Sequence, residues 1–267
     1  MKVWTKQEDE FVVSNYKLNT IKIILGVLKN RTWRAIGARA QLLGIKREMG
    51  ASYANICYFD KWNENMAYIL GFIYADGCII DRKKSTGDEV LYIALANADY
   101  DHLVKIRDKI APNKKIWVYY KKLNNKYYRI DYLRIGSRYL CKRLKDLGVK
   151  NRKSKVLEFP HVPKKYLSHF IRGYFDGDGS FLIYRNEPRL SFCSGTKVFL
   201  DYISLLIANN LGLSKKNIIY GKVAGAYYLH YHTRESIVVG EWLYNNSSIH
   251  LGRKYDTYLE AKNEIYG

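Results

Sequence analysis

The 267-residue sequence contains few cysteines, and they are scattered. The four are Cys57, Cys78, Cys141 and Cys193, and no two of them form a C-x-x-C pair. A zinc ribbon or a disulfide framework is therefore not supported. We expect a reduced, intracellular setting, which is the cytoplasm or nucleoid, or an organelle matrix if the gene is organelle-encoded.

The sequence also lacks a segment long enough to cross a membrane. Its longest apolar run, Met66–Ala75, is interrupted by Gly71 and is far shorter than the roughly 20 residues that a spanning helix needs. The N-terminal stretch MKVWTKQEDE has no apolar region typical of a secretory signal. We therefore expect no membrane partner.

Acidic residues are scarce relative to basic ones. The chain has 45 Lys and Arg against 25 Asp and Glu, which gives a net charge of +20. Because 48% of the residues are apolar, a sizeable core can form and general disorder is excluded. The excess of positive charge indicates a polyanionic partner, most commonly nucleic acid.

The first fifty residues contain start and stop signals for three short helices. Thr5 and Glu8 fit a capping box, and Thr20 can begin a second helix. Thr32 can begin a third that ends at Gly44. Residues 1–46 are predicted to form a helix-turn-helix-like module that reads DNA. Its predicted DNA contacts are Arg31, Arg34, Arg39 and Gln41.

The same region has the pattern W-T-x-x-E-D, then a tyrosine, then N-R-T-x-x-A-I-x-x-R-A-x-x-L-G. This pattern resembles that of small Myb/SANT-like three-helix domains. A helical cap packed on the rest of the chain is the alternative interpretation. Residues 47–60 lack clear periodicity and are predicted to be a linker.

A nine-residue motif occurs twice. Ile69–Gly77 and Ile171–Gly179 align without gaps and share a glycine at the third position, an aspartate at the eighth and a glycine at the ninth. An Arg-Lys pair follows each motif at nearly equal spacing, ending in Lys153 and in Lys254. Residues 61–160 and 161–267 are therefore interpreted as two copies of one unit.

Each copy shows the same order of periodic segments, α-β-β-α-β-β-α. The strands carry polar and basic residues at alternate positions, so one face of each sheet can pack on helices while the other lies along a DNA groove. The predicted DNA contacts of these sheets are Arg82, Lys84, Lys121, Arg129, Tyr184 and Asn186.

The repeated motif suggests a metal site. Glycine disfavours a helix interior, so Gly71 and Gly173 indicate that the two motif helices pack closely. Their ends would then bring Asp76 and Asp178 together, and two carboxylates at the negative ends of helices repel unless a cation lies between them. Mg²⁺ suits such a position, held by carboxylates, phosphate oxygens and water.

These two motifs resemble those of the single-chain, two-repeat LAGLIDADG homing endonucleases. The resemblance implies an α+β fold in which two pseudo-symmetric αββαββα units form a saddle of antiparallel sheets over double-stranded DNA. It implies that Asp76 and Asp178 bind the divalent metal, together with the backbone carbonyls of Ala75 and Gly177. It also implies basic residues near the scissile phosphate, for which Lys153 and Lys254 are the catalytic candidates by position.

The chain departs from the family pattern at two motif positions. Tyr74 replaces the acidic residue at the sixth position of the first motif, and Arg172 stands where a small residue is usual. Both departures concern the helix interface, since the two metal-binding positions are intact.

The resulting interpretation is a monomeric, metal-dependent endonuclease that cuts double-stranded DNA at a long specific site and is encoded within a mobile intron or as a free-standing mobile gene. One alternative is an RNA-binding intron maturase, and another is a DNA-binding regulator without catalytic activity. The paired aspartates favour the nuclease, because neither alternative needs them. An intein origin is disfavoured by the absence of a terminal His-Asn and of a Cys or Ser splice residue.

Overall fold

A computed structural model describes residues 3–48, 50–83, 88–96, 99–150 and 157–266. The chain is α+β, with a small helical module followed by two units that each contain a four-stranded antiparallel sheet. In the described residues no helix is long and apolar enough to cross a membrane.

The N-terminal module consists of three helices, as the sequence predicts. They are α1 (Lys6–Asn15), α2 (Ile21–Val27) and α3 (Trp33–Leu42). Each begins at a threonine whose side chain accepts a backbone hydrogen bond, and Thr5 and Glu8 complete the predicted capping box. The module has its own small core, formed by Val12, Ile24, Leu28, Ile36 and Ala40.

The stretch predicted as a linker is packed rather than free. Ala51, Ala54, Ile56 and Phe59 are fully buried in the core of the first unit, so this part of residues 47–60 extends that unit. Arg47 joins the module to it by donating hydrogen bonds to the backbone carbonyls of residues 16, 19 and 51, at 2.6, 2.5 and 2.7 Å. Sequence periodicity missed these contacts because a short irregular segment can bury apolar side chains without a repeat.

The first unit has the predicted αββαββα order. Its elements are α4 (Glu64–Asp76), β1 (Gly77–Lys83), β2 (Asp88–Ala96), α5 (Tyr100–Ile110), β3 (Trp117–Leu123), β4 (Lys126–Gly136) and α6 (Arg138–Asp146). The strands form one antiparallel sheet in the order β1-β2-β4-β3, which we call sheet A.

The second unit repeats this order. Its elements are α7 (Leu167–Asp178), β5 (Gly179–Tyr184), β6 (Glu187–Ser194), α8 (Lys197–Leu211), β7 (Ile219–Gly221), β8 (Ala226–His232) and α9 (Thr233–Tyr244). Its strands form sheet B in the matching order β5-β6-β8-β7. A further helix, α10 (Gly252–Tyr266), follows α9 and was not predicted. It packs on α9 and β5.

Each sheet has one face against helices and one outer face. In sheet A the helix side carries buried residues such as Leu91, Ile93 and Leu133, and the strand register places Tyr92, Tyr132 and other polar or aromatic residues on the outer face. Sheet B has the same alternation, with Leu190 and Phe192 buried. Strand alternation thus separates the core from a surface available to a partner.

The motif helices α4 and α7 form the central contact between the two units. A Cβ added to Gly71 would lie 2.0 Å from the carbonyl oxygen of Phe170, and one added to Gly173 would lie 1.9 Å from that of Tyr68. No side chain fits at such distances, so the predicted role of both glycines in close helix packing is confirmed. One continuous core extends through both units.

Candidate active site and nucleic-acid interface

The ends of the two motif helices meet where the predicted metal site lies. Asp76 is the last residue of α4 and Asp178 the last residue of α7, and both are exposed. A Cβ added to Gly177 would lie 3.1 Å from Asp76 Oδ2 and 2.2 Å from the Cβ of Ala75. Gly177 therefore lies directly beside the Asp76 carboxylate, and its missing side chain leaves space there.

A cavity of about 530 Å³ opens beside Asp178. Its walls include Ala75 and Tyr174 from the motif helices and Cys193, which the strand register places on the outer face of sheet B. The second aspartate therefore faces a recess that is continuous with the surface expected to bind DNA.

The charges of both motif aspartates affect the pKa values of two buried side chains. Burial lowers the pKa of Lys254 to about 8, while the attraction of Asp176, Asp76 and Asp178 opposes that shift. Burial raises the pKa of the Tyr174 hydroxyl, and the charges of Asp178 and Asp76 add to this increase. Asp76 and Asp178 therefore both influence the ionisation of the same two buried groups.

Lys254 is buried against the backbone at the end of α7. Its Nζ donates hydrogen bonds to the carbonyl oxygens of Phe175 at 2.8 Å and Asp176 at 2.7 Å, and the residue is only 3% exposed. The ammonium thus satisfies carbonyls in the last turn of α7, where a cation is favoured. This placement favours a positioning role over the predicted catalytic one. Its predicted counterpart Lys153 lies outside the described residues.

A buried hydrogen-bond network crosses the interface next to the site. Asp176 accepts from the hydroxyls of Tyr68 at 2.7 Å and Tyr244 at 2.9 Å and from the backbone N–H of Leu251 at 2.8 Å. The Tyr68 oxygen lies 3.0 Å from His102 Nε2. Since Tyr68 uses its proton for Asp176, His102 Nε2 donates to it. Asp176 is fully committed to these donors and is not placed to bind metal.

The sequence signals the central residue of this network but not its partners. Asp176 is part of the second motif, whereas Tyr68, His102 and Tyr244 come from three different helices. No spacing rule joins them, because only the packing of the two units brings them together.

Both residues that depart from the family motif donate hydrogen bonds to backbone carbonyls. Tyr74 donates a hydrogen bond to the carbonyl of Leu147 at 2.8 Å and so anchors the end of α6. Arg172 is 1% exposed and donates to the carbonyls of Leu243 at 2.8 Å and Ile249 at 3.2 Å. Arg172 therefore ties α7 to the segment after α9, within its own unit.

The predicted DNA contacts of the N-terminal module fall into two groups. Arg31 is nearly buried and pairs with Glu8 at 2.7 Å, and Arg39 pairs with Asp9 at 2.5 Å. These two arginines hold α1 against α3 and its preceding turn, which favours a packing role. Arg34 and Gln41 are exposed on α3 and keep the predicted role.

The predicted contacts on the strands divide in the same way. The register puts Lys121 on the outer face of sheet A opposite Tyr128. Arg129 instead lies on the helix side, since it shares the alternation of the buried Leu133, and it pairs with Asp131 at 2.9 Å. Its predicted place on the DNA-facing side is therefore wrong, and the alternation of β4 already contained the signal that corrects it.

The remaining predicted contacts lie at two hairpins. Tyr184 is on the outer face of sheet B, with the Arg189 guanidinium 4.7 Å from its ring centre. Asn186 lies in the two-residue turn that follows, with a left-handed φ of 61°. The side chain of Arg82 and all of Lys84 lie outside the part of the chain that the structure describes.

The donor set at the motif ends fits a hard divalent cation. The two carboxylates supply only oxygen ligands, which is the chemistry that Mg²⁺, Mn²⁺ and Ca²⁺ accept while substrate phosphates and water complete the shell. Among the described residues no cluster of three or more His, Cys, Asp or Glu side chains could hold a metal. Beyond the two carboxylates, the ligands of a cation at the motif ends would be backbone carbonyls, substrate phosphates or water.

Sequence comparison identifies the domain type of the second unit. Residues 165–239, from just before α7 into α9, match the family model of the LAGLIDADG-like domain. The chain is also 29% identical over 152 residues to the DNA-directed RNA polymerase subunit Rpo1C of Methanocaldococcus jannaschii. Over 59 residues it is 37% identical to a probable translation initiation factor IF-2 of Thermococcus kodakarensis. The chain spans only 16% and 5% of the lengths of these relatives.

Solved structures with the same fold include two homing endonucleases. I-WcaI bound to its DNA recognition sequence is 16% identical, with a TM-score of 0.53 over 80% of this chain and 96% of that one. I-DmoI in complex with DNA and Ca is 18% identical, with a TM-score of 0.51 over 74% and 97%.

The two-unit region therefore has the fold of the single-chain LAGLIDADG homing endonucleases. The LAGLIDADG-like family model covers residues 165–239, and the fold match extends over both sheet units. The Myb-like character of the N-terminal module stays a prediction.

Proposed function

We propose that the protein is a site-specific endonuclease that hydrolyses phosphodiester bonds in double-stranded DNA with a divalent metal held by Asp76 and Asp178. The single observation that carries this proposal is the meeting of two aspartates at the ends of α4 and α7 in a chain with a net charge of +20. The fold supports it, since solved homing endonucleases share that fold and are described as bound to DNA.

The roles of the chain's own groups follow from their positions. Asp76 and Asp178 would hold the cation, and the backbone carbonyls of Ala75 and Gly177 are the further ligands that the sequence predicts. Lys254 fixes the last turn of α7 and thereby the position of Asp178. When bound, the metal supplies an activated water and stabilises the leaving oxygen of the phosphodiester. The outer faces of the two sheets would bind the DNA backbone and base edges on either side.

The N-terminal module would extend the DNA footprint. Arg34 and Gln41 are exposed on the same helix, and Arg47 fixes the module to the first unit. A fixed orientation lets a small module add contacts without an entropic penalty for docking.

The test begins with selection of a duplex from a randomised pool by the full chain, followed by cleavage in Mg²⁺ or Mn²⁺. We expect cleavage by the unmodified chain to stop on chelation. Asp178→Asn should abolish it, because an amide is a much weaker cation ligand than a carboxylate. Asp108→Asn is the matched control, since Asp108 is an exposed aspartate on α5 paired with Arg107.

A binding assay with the selected duplex distinguishes a variant that has lost catalysis from a variant that has lost its fold. Asp178→Asn should retain binding while losing cleavage. If Asp178→Asn cuts the duplex as fast as the unmodified chain, the aspartates do not hold the catalytic metal. If the chain selects no duplex at all, it is not a site-specific DNA endonuclease.

A further inference from the structure

The outer face of sheet A carries an unusual apolar recess. The recess has a volume of about 420 Å³ and is lined by Ile80, Val90, Tyr92, Tyr119, Tyr132 and Arg134. Ile80 is 44% exposed and Tyr119 is 42% exposed. Large apolar side chains that face solvent on a sheet mark a binding surface.

The recess is a formed feature made of contacting rings. The ring centres of Tyr92 and Tyr132 are 5.2 Å apart, and those of Tyr119 and Tyr132 are 5.7 Å apart. Burial raises the pKa of Tyr92 to about 12, so its hydroxyl stays neutral at physiological pH. Arg134 is the one charged residue among those that line the recess.

The matching positions of sheet B are chemically different. Ile80 of the first unit and Leu182 of the second unit occupy matching places. Ile80 pairs with Val90 and Leu182 pairs with Arg189, so Val90 corresponds to Arg189. By the same registers Tyr92 corresponds to Ser191. Arg134 corresponds to His230. Sheet B thus carries hydrogen-bonding side chains at the places of Val90 and Tyr92, and it keeps an apolar side chain, Leu182, at the place of Ile80.

Basic residues border the apolar recess. Lys121 lies on the same outer face, and Lys122 and Lys126 are exposed at the nearby β3–β4 hairpin. A surface that combines exposed lysines with an apolar centre suits the major groove, where phosphates flank the base edges. The one apolar group that base edges offer there is the methyl of thymine.

We infer that the first unit reads thymine methyl groups through the recess lined by Ile80 and Tyr119, whereas Arg189 and Ser191 give the second unit polar contacts at the places of Val90 and Tyr92. The inference rests on the proposed function and names the base chemistry that each unit recognises. It assigns Ile80 and Tyr119 as specificity-determining residues.

The experiment removes only the methyl groups. Thymine is replaced by deoxyuridine in one half of the selected duplex at a time, which preserves base pairing and every hydrogen-bonding group. We expect the affinity of the unmodified chain to fall about fourfold for each buried methyl, from the usual gain on burying one such group. The loss should occur in one half of the duplex only.

Two variants at equivalent positions identify the reader. Ile80→Ser should abolish the effect of uracil, and Leu182→Ser should leave it intact, because the two residues occupy matching places in the two units. Tyr119→Ser provides an independent variant of the recess. Both Ile80 and Leu182 are exposed, so the folded state should survive, and a thermal melt verifies it.

The outcomes distinguish this inference from the proposed function. If the duplex is bound and cleaved but uracil has no effect in either half, the methyl readout is refuted while the nuclease stands. If Ile80→Ser remains as sensitive to uracil as the unmodified chain, the recess is not the reader. Failure to select or cleave any duplex would refute both.

Discussion

The substitution Gly71→Ala tests the central packing of the molecule. The added Cβ would lie 2.0 Å from the Phe170 carbonyl oxygen, and real Cβ contacts are essentially never shorter than 3.0 Å. The motif helices would have to separate by at least about 1 Å, which overpacking data place at about 1–3 kcal/mol or more. For a chain of this size that corresponds to a fall in Tm of roughly 2–12 °C.

The same movement should affect cleavage. Asp76 and Asp178 are on the separating helices, and a displacement of about 1 Å at a catalytic centre can cost roughly 100-fold in rate. The measurement is single-turnover cleavage of the selected duplex together with a thermal melt followed by circular dichroism. We expect both Tm and rate to fall, while binding to the outer faces of the sheets changes less.

A control and a double substitution sharpen this test. Gly252→Ala places the same methyl at the start of α10, where nothing lies within 4 Å, so its stability should stay within about 0.5 kcal/mol of the unmodified chain. The double variant Gly71→Ala/Gly173→Ala should lose less stability than the sum of the losses in the two single variants, because the first change already separates the helices. Unmodified Tm and cleavage in Gly71→Ala would refute the close helix contact.

Two other predictions concern stability and the N-terminal module. Burial lowers the pKa of His102 to about 4, so the unfolded chain binds more protons and stability falls as pH drops from about 6.5 towards 4. Denaturant titrations should show the unmodified chain losing about 2 kcal/mol more than His102→Gln between about pH 7.5 and pH 5, and equal losses would contradict this. For the module, Arg31→Ala should lower its melting temperature by removing the pair with Glu8. Arg34→Ala should instead reduce the salt dependence of DNA binding, lowering the slope of log affinity against log salt concentration by about one unit. If Arg31→Ala changed only DNA binding and Arg34→Ala changed only the melting temperature, the roles given to the two arginines would be refuted.

The local signals in the sequence were sufficient for most of the fold. The helix starts at Thr5, Thr20 and Thr32 are side-chain caps that act within a few residues, and the structure forms each of them. The two sheets follow from alternation and from the repeat, which also placed Asp76 and Asp178 at matching helix ends. Such features depend on neighbours in the chain or on symmetry between the copies, both of which a sequence displays.

The sequence does not decide the role of a side chain whose partner comes from a distant element. Lys254 has the spacing expected of a residue near the scissile phosphate, but α10 turns it towards the carbonyls of Phe175 and Asp176. Arg31 has the position of a DNA contact but meets Glu8 from α1. A basic side chain can contact a phosphate or pair with a group inside the protein, and its residue type fits both roles. Only the packing of the chain decides between them.

The pseudo-symmetry of the two units is constrained more strictly at the helix interface than on the outer faces of the sheets. At the helix interface, Gly71 faces a carbonyl of α7 and Gly173 faces a carbonyl of α4, so a larger side chain in either copy alone would separate both helices. On the outer faces, Tyr92 and Ser191 occupy matching places in two separate sheets. Each of those residues can change without disturbing the other copy. The pseudo-symmetry is therefore tightly constrained at the helix contact, whereas the outer faces of the two sheets can acquire different side chains independently.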